Sequence, residues 1–132
     1  MNQSPGLMGQ NHHLVGERRE RELAHYLSDA LGIDVTRTPL SGGGMTAKFG
    51  PQMADLSGTP DIWIEAKRTE TFRPRAAIEQ AERGIASRSC SDLAVVMNRQ
   101  NRQKTGDSLV VLRLDGFIRL YRGYLKSEGI IA

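Results

Sequence analysis

Apolar residues recur at two different periods along this chain, and each period predicts a different kind of element. Over residues 14–31 they recur at helical spacing, and Gly32 follows as a C-terminal stop. Residues 33–38 are expected to form a short strand. Residues 61–67 alternate strictly and are rich in β-branched and aromatic side chains, which predicts a second strand.

The second half of the chain continues with helix and strand patterns. Pro74 stands where a first-turn proline belongs and begins a second amphipathic helix. Residues 93–97 form a continuous apolar run of the buried-strand type, and residues 108–114 predict another strand. Asp115 is expected to cap a last helix. The order of elements predicts an α/β domain with a central mixed β-sheet flanked by helices.

Length and composition predict one domain. The chain has 132 residues, with 39% hydrophobic and 25% charged residues, as in ordinary globular proteins. Residues 1–13 are uncharged and show no periodicity, so we expect a flexible N-terminal tail followed by a single domain over residues 14–132.

Several functional classes are excluded at this level. No apolar run approaches the roughly 20 residues that span a bilayer, and no secretory signal is visible, so a cytoplasmic protein without membrane contact is expected. The single cysteine, Cys90, allows neither an internal disulfide nor a cysteine-cluster zinc site. The glycine triplet at 42–44 lacks the Lys-Ser/Thr ending of a P-loop, so no nucleotide cofactor is expected.

Positive charge is concentrated near the C-terminus. The formal net charge is only +3, but residues 98–126 carry seven basic residues against two acidic ones. This segment is the best candidate for contact with phosphate, although a solvated basic face is the commoner meaning of such a cluster. The basic residues are Arg99, Arg102, Lys104, Arg113, Arg119, Arg122 and Lys126.

The candidate chemistry centres on the strand at 61–67. Glu65 and Lys67 are two positions apart, so both project from one face at a spacing of about 6.6 Å. Asp55 precedes a glycine-containing turn that can fold it back toward Glu65. Asp61 is the rival, but it lies about 13 Å from Glu65 along an extended strand. Two carboxylates and a backbone carbonyl would suit Mg²⁺ or Mn²⁺.

Several short motifs occur together in a characteristic order. The set resembles the PD-(D/E)xK nuclease superfamily, particularly its compact phage and archaeal Holliday-junction-resolvase-like members, over residues 16–121. The motifs are GERREREL at 16–23, RTPLSG at 37–42, ADL at 54–56, IEAKR at 64–68 and QA at 80–81.

The resemblance implies a restriction-endonuclease-like core and metal-dependent hydrolysis of DNA phosphodiester bonds. Selectivity for Holliday junctions or other branched DNA, in phage or prophage DNA processing, is also implied. Asp55 and Glu65 would hold Mg²⁺ or Mn²⁺ together with the Ala66 carbonyl. Lys67 would position or help deprotonate the attacking water and steady the charge that develops on the phosphate.

The resemblance also implies a further acidic residue on the first helix, and Glu17, Glu20 and Glu22 are available. Glu20 falls on the apolar stripe of the helix and should point inward, whereas Glu22 is displaced by about 200°. Glu20 is therefore preferred as the acidic residue that the first helix contributes to the active site, although a surface ion-pairing role is nearly as well supported. Gln80 matches a glutamine that some branches of the superfamily place near the active site.

DNA and a second copy of the chain are the expected partners. A homodimer is expected because symmetric cutting of two strands needs two active sites. The alternative is a non-catalytic DNA-binding or assembly module on a nuclease fold. The residues expected to contact DNA are Arg37, Ser41, Arg68, Arg99, Arg102 and Lys104.

Overall fold

Three helices and two small sheets make up the part of the chain that the structure, a computed structural model, describes. It covers residues 5–39, 52–68 and 70–132, with side chains described from residue 16 onward. In chain order the elements are α1 (Pro5–Leu31), β1 (Thr36–Arg37), β2 (Leu56–Ser57), β3 (Ile62–Lys67), α2 (Pro74–Ser87), β4 (Leu93–Asn98), a 3-10 turn (Thr105–Asp107), β5 (Leu109–Val111) and α3 (Leu114–Ser127).

The central sheet is mixed. β3 and β4 are parallel, with Ile62 opposite Leu93 and Lys67 opposite Asn98, and α2 is the crossover that parallel pairing requires. β5 pairs with β4 in the antiparallel direction, while β1 and β2 form a separate antiparallel pair. The predicted α/β fold with a mixed sheet and flanking helices is therefore confirmed.

Both faces of β3 are buried. On one face Ile64 packs with Ala24 of α1 and with Val35 and Leu56. On the other face Trp63 packs with Ala81 of α2 and Ala94 of β4. The sequence alternation predicted the first of these faces. The second one also excludes water, so the charged residues on it lie in an environment of low polarity.

Two helix boundaries differ from the prediction. α1 begins at Pro5, so the backbone of the predicted tail is already helical from that residue on. The division of the chain into a tail at residues 1–13 and a domain at residues 14–132 stays a prediction. Asp115 does not cap α3, because the helix begins at Leu114 and Arg113 occupies the N-cap position. Asp115 instead lies in the first turn, where the helix dipole favours a negative charge.

Two predicted strands are shorter than expected, and one predicted turn lies outside the described residues. Only Thr36–Arg37 of the strand at 33–38 pairs, since β2 offers two partner residues. Only Leu109–Val111 of the strand at 108–114 pairs, because the chain turns into α3 at Leu114. The glycine triplet at 42–44 is not described. None of the described helices is long and apolar enough to cross a membrane.

Gly84 allows α2 to approach the sheet closely. It is buried within the helix, and a Cβ at this position would lie 2.4 Å from Cζ2 of the Trp63 indole. No side chain can occupy that space unless the buried indole moves. Because the same indole also contacts Glu65, the close approach at Gly84 contributes to the placement of the candidate site.

Gly84→Ala should lower the free energy of unfolding by about 1–3 kcal/mol, because a displaced buried ring costs more than the gain in helix propensity. The matched control is Gly123→Ala in α3, where a Cβ would meet nothing within 4 Å. The control should be stabilising by about 0.5–1 kcal/mol. Urea unfolding of both variants tests this, and stabilisation by Gly84→Ala would contradict the packing argument.

Candidate active site

Asp55 connects the two sheets through three hydrogen bonds. Its backbone N–H donates to the Ile64 carbonyl at 3.0 Å, and its own carbonyl accepts from the Thr38 N–H at 2.9 Å. Its carboxylate accepts from the Ala66 N–H, with Oδ2 at 2.8 Å from the nitrogen. Asp55 is thus fixed beside the middle of β3, as expected from the glycine-containing turn that follows it. Asp61, the rival, lies in the exposed turn before β3 with a positive φ of 66°.

Glu65 is a buried carboxylate next to Asp55. Its residue surface is only 5% exposed, and the Trp63 indole Nε1–H donates to Oε1 at 2.9 Å. Burial, followed by the negative charge of Asp55, raises the pKa of Glu65 to about 7. Burial also raises the pKa of Asp55, although the hydrogen bond from Ala66 opposes this shift. Two buried carboxylates therefore compete for one proton or share one cation.

Lys67 and Gln80 form the polar contact between β3 and α2. The Lys67 ammonium donates to the Gln80 side-chain carbonyl at 2.6 Å. Because Gln80 is neutral, it orients the ammonium without cancelling its charge. Lys67 also carries the backbone carbonyl that accepts from the Arg99 N–H at 3.1 Å, which anchors the end of β3 to the segment after β4.

On α1, the structure distinguishes the three candidate acids by their surroundings. Glu20 accepts from Arg37 Nε at 3.0 Å, and burial, followed by the charge of Asp55, raises its pKa. Glu17 accepts from Nη2 of the same arginine at 3.1 Å. Glu22 has a side chain that is 45% exposed and pairs with Arg99. The raised pKa of Glu20 places its carboxylate within the electrostatic reach of Asp55.

The residues present fit a hard divalent cation. Backbone N–H and C=O of one strand residue point to the same side, and the Ala66 N–H points at Asp55, so the Ala66 carbonyl faces that side too. Asp55, Glu65 and this carbonyl make an oxygen donor set of the kind that Mg²⁺ and Mn²⁺ prefer. Within the described ranges, no three His, Cys, Asp or Glu side chains are grouped closely enough to hold a metal without backbone donors.

The predicted DNA-contacting residues fall into three groups. Arg68 and Arg99 line a pocket that also includes Lys67. Arg102 and Lys104 are exposed in the loop after β4. Arg37, by contrast, has a side chain only 14% exposed that pairs with Glu17 and Glu20 of α1, and its contact with DNA stays a prediction. Ser41 lies outside the described residues.

Three residues near the site were missed by the sequence analysis. Trp63 could have been found, because it lies two positions before Glu65 and so shares its face of the strand. Asn98 is a buried amide whose Nδ2 lies 3.4 Å from the Lys67 carbonyl oxygen. Arg19 donates to Asn101 Oδ1 at 3.2 Å. No local pattern indicates these last two, because both depend on how the loop after β4 returns to α1 and β3.

A mixed sheet with an aspartate fixed beside a Glu-x-Lys strand is the core of a PD-(D/E)xK nuclease. The model of the archaeal Holliday junction resolvase (Hjc) family matches residues 11–105, and the chain belongs to this family. The match includes all the residues placed in the site above. No curated protein and no solved structure matches the chain significantly. Membership in the family makes the protein a DNA-binding nuclease of the Holliday junction resolvase kind.

The buried carboxylate pair predicts a distinctive dependence of stability on pH. The pKa of Glu65 is about 7 in the folded protein against 4.5 for the free group, so between these values the folded state holds a proton that the unfolded state has lost. This contribution to stability is fully present below the lower value and disappears as the pH rises through about 7. Metal-free protein should therefore lose up to about 3 kcal/mol between pH 4.5 and 8 from this group.

Urea unfolding in EDTA across this pH range measures the effect. Glu65→Gln should flatten the decline, because the amide stays neutral at every pH. Glu79→Gln, an exposed substitution on α2, is the matched control and should retain the wild-type slope. Equal slopes in wild type and Glu65→Gln would contradict the assignment.

Proposed function

We propose that this protein is a divalent-metal-dependent endonuclease that hydrolyses phosphodiester bonds in branched DNA, with the Holliday junction as its principal substrate. The observation that carries the proposal is the Asp55 carboxylate held by the Ala66 N–H beside Glu65, on the strand that also carries Lys67. Mg²⁺ or Mn²⁺ would be held by Asp55, Glu65 and the Ala66 carbonyl. When bound, it would polarise the phosphate and increase the acidity of water.

The protein's own groups complement such an ion. The Lys67 ammonium is held by a neutral partner, so it keeps its full charge to bind a non-bridging phosphate oxygen or to orient the attacking water. Glu20, oriented by Arg37, adds a further acceptor on the α1 side of Asp55. These positions support attack by water on a phosphodiester, giving a nicked strand.

The basic residues around the site support binding to the DNA backbone. Arg68 and Arg99 lie beside Lys67, and Arg102 and Lys104 extend the positive surface along the exposed loop. Contacts of this kind are independent of base sequence and weaken with salt, as suits an enzyme that recognises DNA shape. We also propose a role in phage or prophage DNA processing in the host cytoplasm, because the sequence motifs resemble those of compact phage resolvases.

We also propose a homodimer, with an interface built on α3. An apolar stripe runs along this helix, in which Leu114 is 71% and Phe117 52% exposed. The helix packs against the domain at Gly116, where a Cβ would lie 2.4 Å from Leu93. Tyr121 is five residues further on, so its side chain points about 140° away from Gly116.

A second copy of this chain fits the stripe. Phe117, Tyr121 and Tyr124 form a row of contacting rings, with centroids 5.6 Å and 6.1 Å apart. Soluble monomers rarely expose a contiguous apolar surface of this kind, and a two-fold axis would pair the stripe with itself. The resulting dimer would supply the two active sites that symmetric cutting of a junction requires.

Cleavage of a four-way junction should require Mg²⁺ or Mn²⁺, stop in EDTA and fall at least roughly 100-fold in Lys67→Ala. Arg83→Ala, which removes one positive charge from the exposed side of α2, should cut at the wild-type rate. The measurement is single-turnover cleavage of labelled four-way, flap, duplex and single-stranded DNA. DNA binding without cleavage of any substrate would favour the non-catalytic DNA-binding module instead.

Phe117→Glu should convert the dimer to a monomer, because an unpaired carboxylate in an apolar interface weakens association by roughly 100-fold or more. Ser127→Glu, at the exposed C-terminal end of α3, adds the same charge and should remain dimeric. Sedimentation equilibrium over a range of concentrations measures the association. A monomeric wild type, or a dimer unaffected by Phe117→Glu, would refute the α3 interface.

A further inference from the structure

A positively charged pocket adjoins the candidate active site. It has a volume of about 170 Å³ and lies between α1 and the C-terminal ends of β3 and β4. Four of its lining side chains are cationic, namely Arg19, Lys67, Arg68 and Arg99, whereas Glu20 is its one carboxylate. Lys67 belongs to the proposed catalytic group. Arg68 and Arg99 are already proposed to bind the DNA backbone, without a particular phosphate assigned to them, and Arg19 has no role in the function described above.

Arg19 has a hydrogen-bonding group to spare. Its Nη2 donates to Asn101, but its Nη1 is buried and has no hydrogen-bond partner. No other such side-chain atom is found in the described part of the chain. Burial, followed by the positive charges of Arg99 and Arg68, lowers the pKa of Arg19. An anion in the pocket would reduce the repulsion among the three guanidinium groups, and a small rotation of the Arg19 side chain toward it would give Nη1 the acceptor that it lacks.

Of the other two arginines around this space, Arg99 is held in place by two hydrogen bonds. Arg99 donates from Nη1 to Thr105 at 2.7 Å and from Nη2 to Glu22 at 2.9 Å, which fixes the plane of its guanidinium. The guanidinium of Arg68 lies near Gly16 of α1, where an added Cβ would be 3.7 Å from Nη2 of Arg68. The side chains around the pocket are therefore organised by contacts with α1 and with the 3-10 turn.

We propose that this pocket binds one phosphate of the DNA backbone, distinct from the phosphate that is cut. Guanidinium groups match phosphate oxygens in geometry and keep their charge at all physiological pH values. The pocket shares Ala66 and Lys67 with the candidate active site, so a phosphate bound there fixes the position of the strand relative to Lys67. The positive charge of the pocket also offsets the repulsion between the DNA backbone and the carboxylates of Glu20, Asp55 and Glu65.

This inference rests on the proposed function for its ligand, but its test does not need cleavage. Junctions carrying one neutral methylphosphonate at successive positions are bound in EDTA, and affinity is measured by fluorescence anisotropy. In wild type, neutralising the phosphate that enters the pocket should weaken binding about tenfold. Arg19→Ala should weaken binding to the unmodified junction by a similar factor and should no longer respond at that position, as expected for two partners of one contact.

Arg83→Ala is the matched control, since it removes the same charge from the exposed side of α2. It should keep the full response at the sensitive position. Arg68→Ala provides a second pocket variant in case Arg19→Ala fails to fold, and far-UV circular dichroism checks both. The result that overturns the proposal is a wild-type response that both folded pocket variants retain, or no sensitive position in wild type.

A second measurement separates DNA from free anions as the ligand. At constant ionic strength, inorganic phosphate should raise the melting temperature of wild type and of Arg83→Ala, but not that of Arg19→Ala. Stabilisation by phosphate without any Arg19-dependent position on DNA would make the pocket a free-anion site and overturn the proposal. An Arg19-dependent position in a protein that never cuts DNA would support the pocket and refute the nuclease mechanism, so the two failures are distinguishable.

Discussion

The burial of two carboxylates side by side is the constraint on which the rest of this structure depends. Helices on both faces of β3 exclude water from Glu65. Backbone hydrogen bonds with Thr38 and Ile64 hold Asp55 against the same strand. Each carboxylate keeps one donor from the chain, Ala66 N–H for Asp55 and the Trp63 indole for Glu65. Fixed dipoles replace the lost water only in part, so protonation stabilises the pair further, and the proposed divalent cation would do the same.

The charges around this pair are separated into two sides. On one side, Arg37 of β1 donates hydrogen bonds to both Glu17 and Glu20 of α1, so its positive charge is balanced by these two carboxylates. Lys67 and the arginines of the pocket lie at the other side, at the ends of β3 and β4. A phosphodiester needs both sides at once, because its oxygens require cations while the attacking water requires acceptors. The fold supplies both by placing α1 and the end of the sheet around one space.

How much the sequence predicts depends on how local each interaction is. The alternation at residues 61–67 predicted β3, found at Ile62–Lys67, because the burial of every second side chain is a local signal. It did not show that Trp63 and Glu65 are buried as well, since that depends on the approach of α2 at Gly84. The ion pairs of Arg37 with Glu20 and Glu17 could not be seen in the sequence, because these partners are 17 and 20 residues away.

Gln80 shows why the charge separation has to be built from unlike residues. A glutamate at the same place would pair with Lys67 and cancel the charge of the ammonium at the site, while adding another anion beside Asp55 and Glu65. Glutamine accepts the same hydrogen bond at 2.6 Å and leaves the charge intact. The positive charge of the ammonium therefore partly offsets the burial that raises the pKa of both carboxylates, and it is not consumed by an ion pair of its own. In the proposed reaction, its remaining donors would be available to a phosphate oxygen.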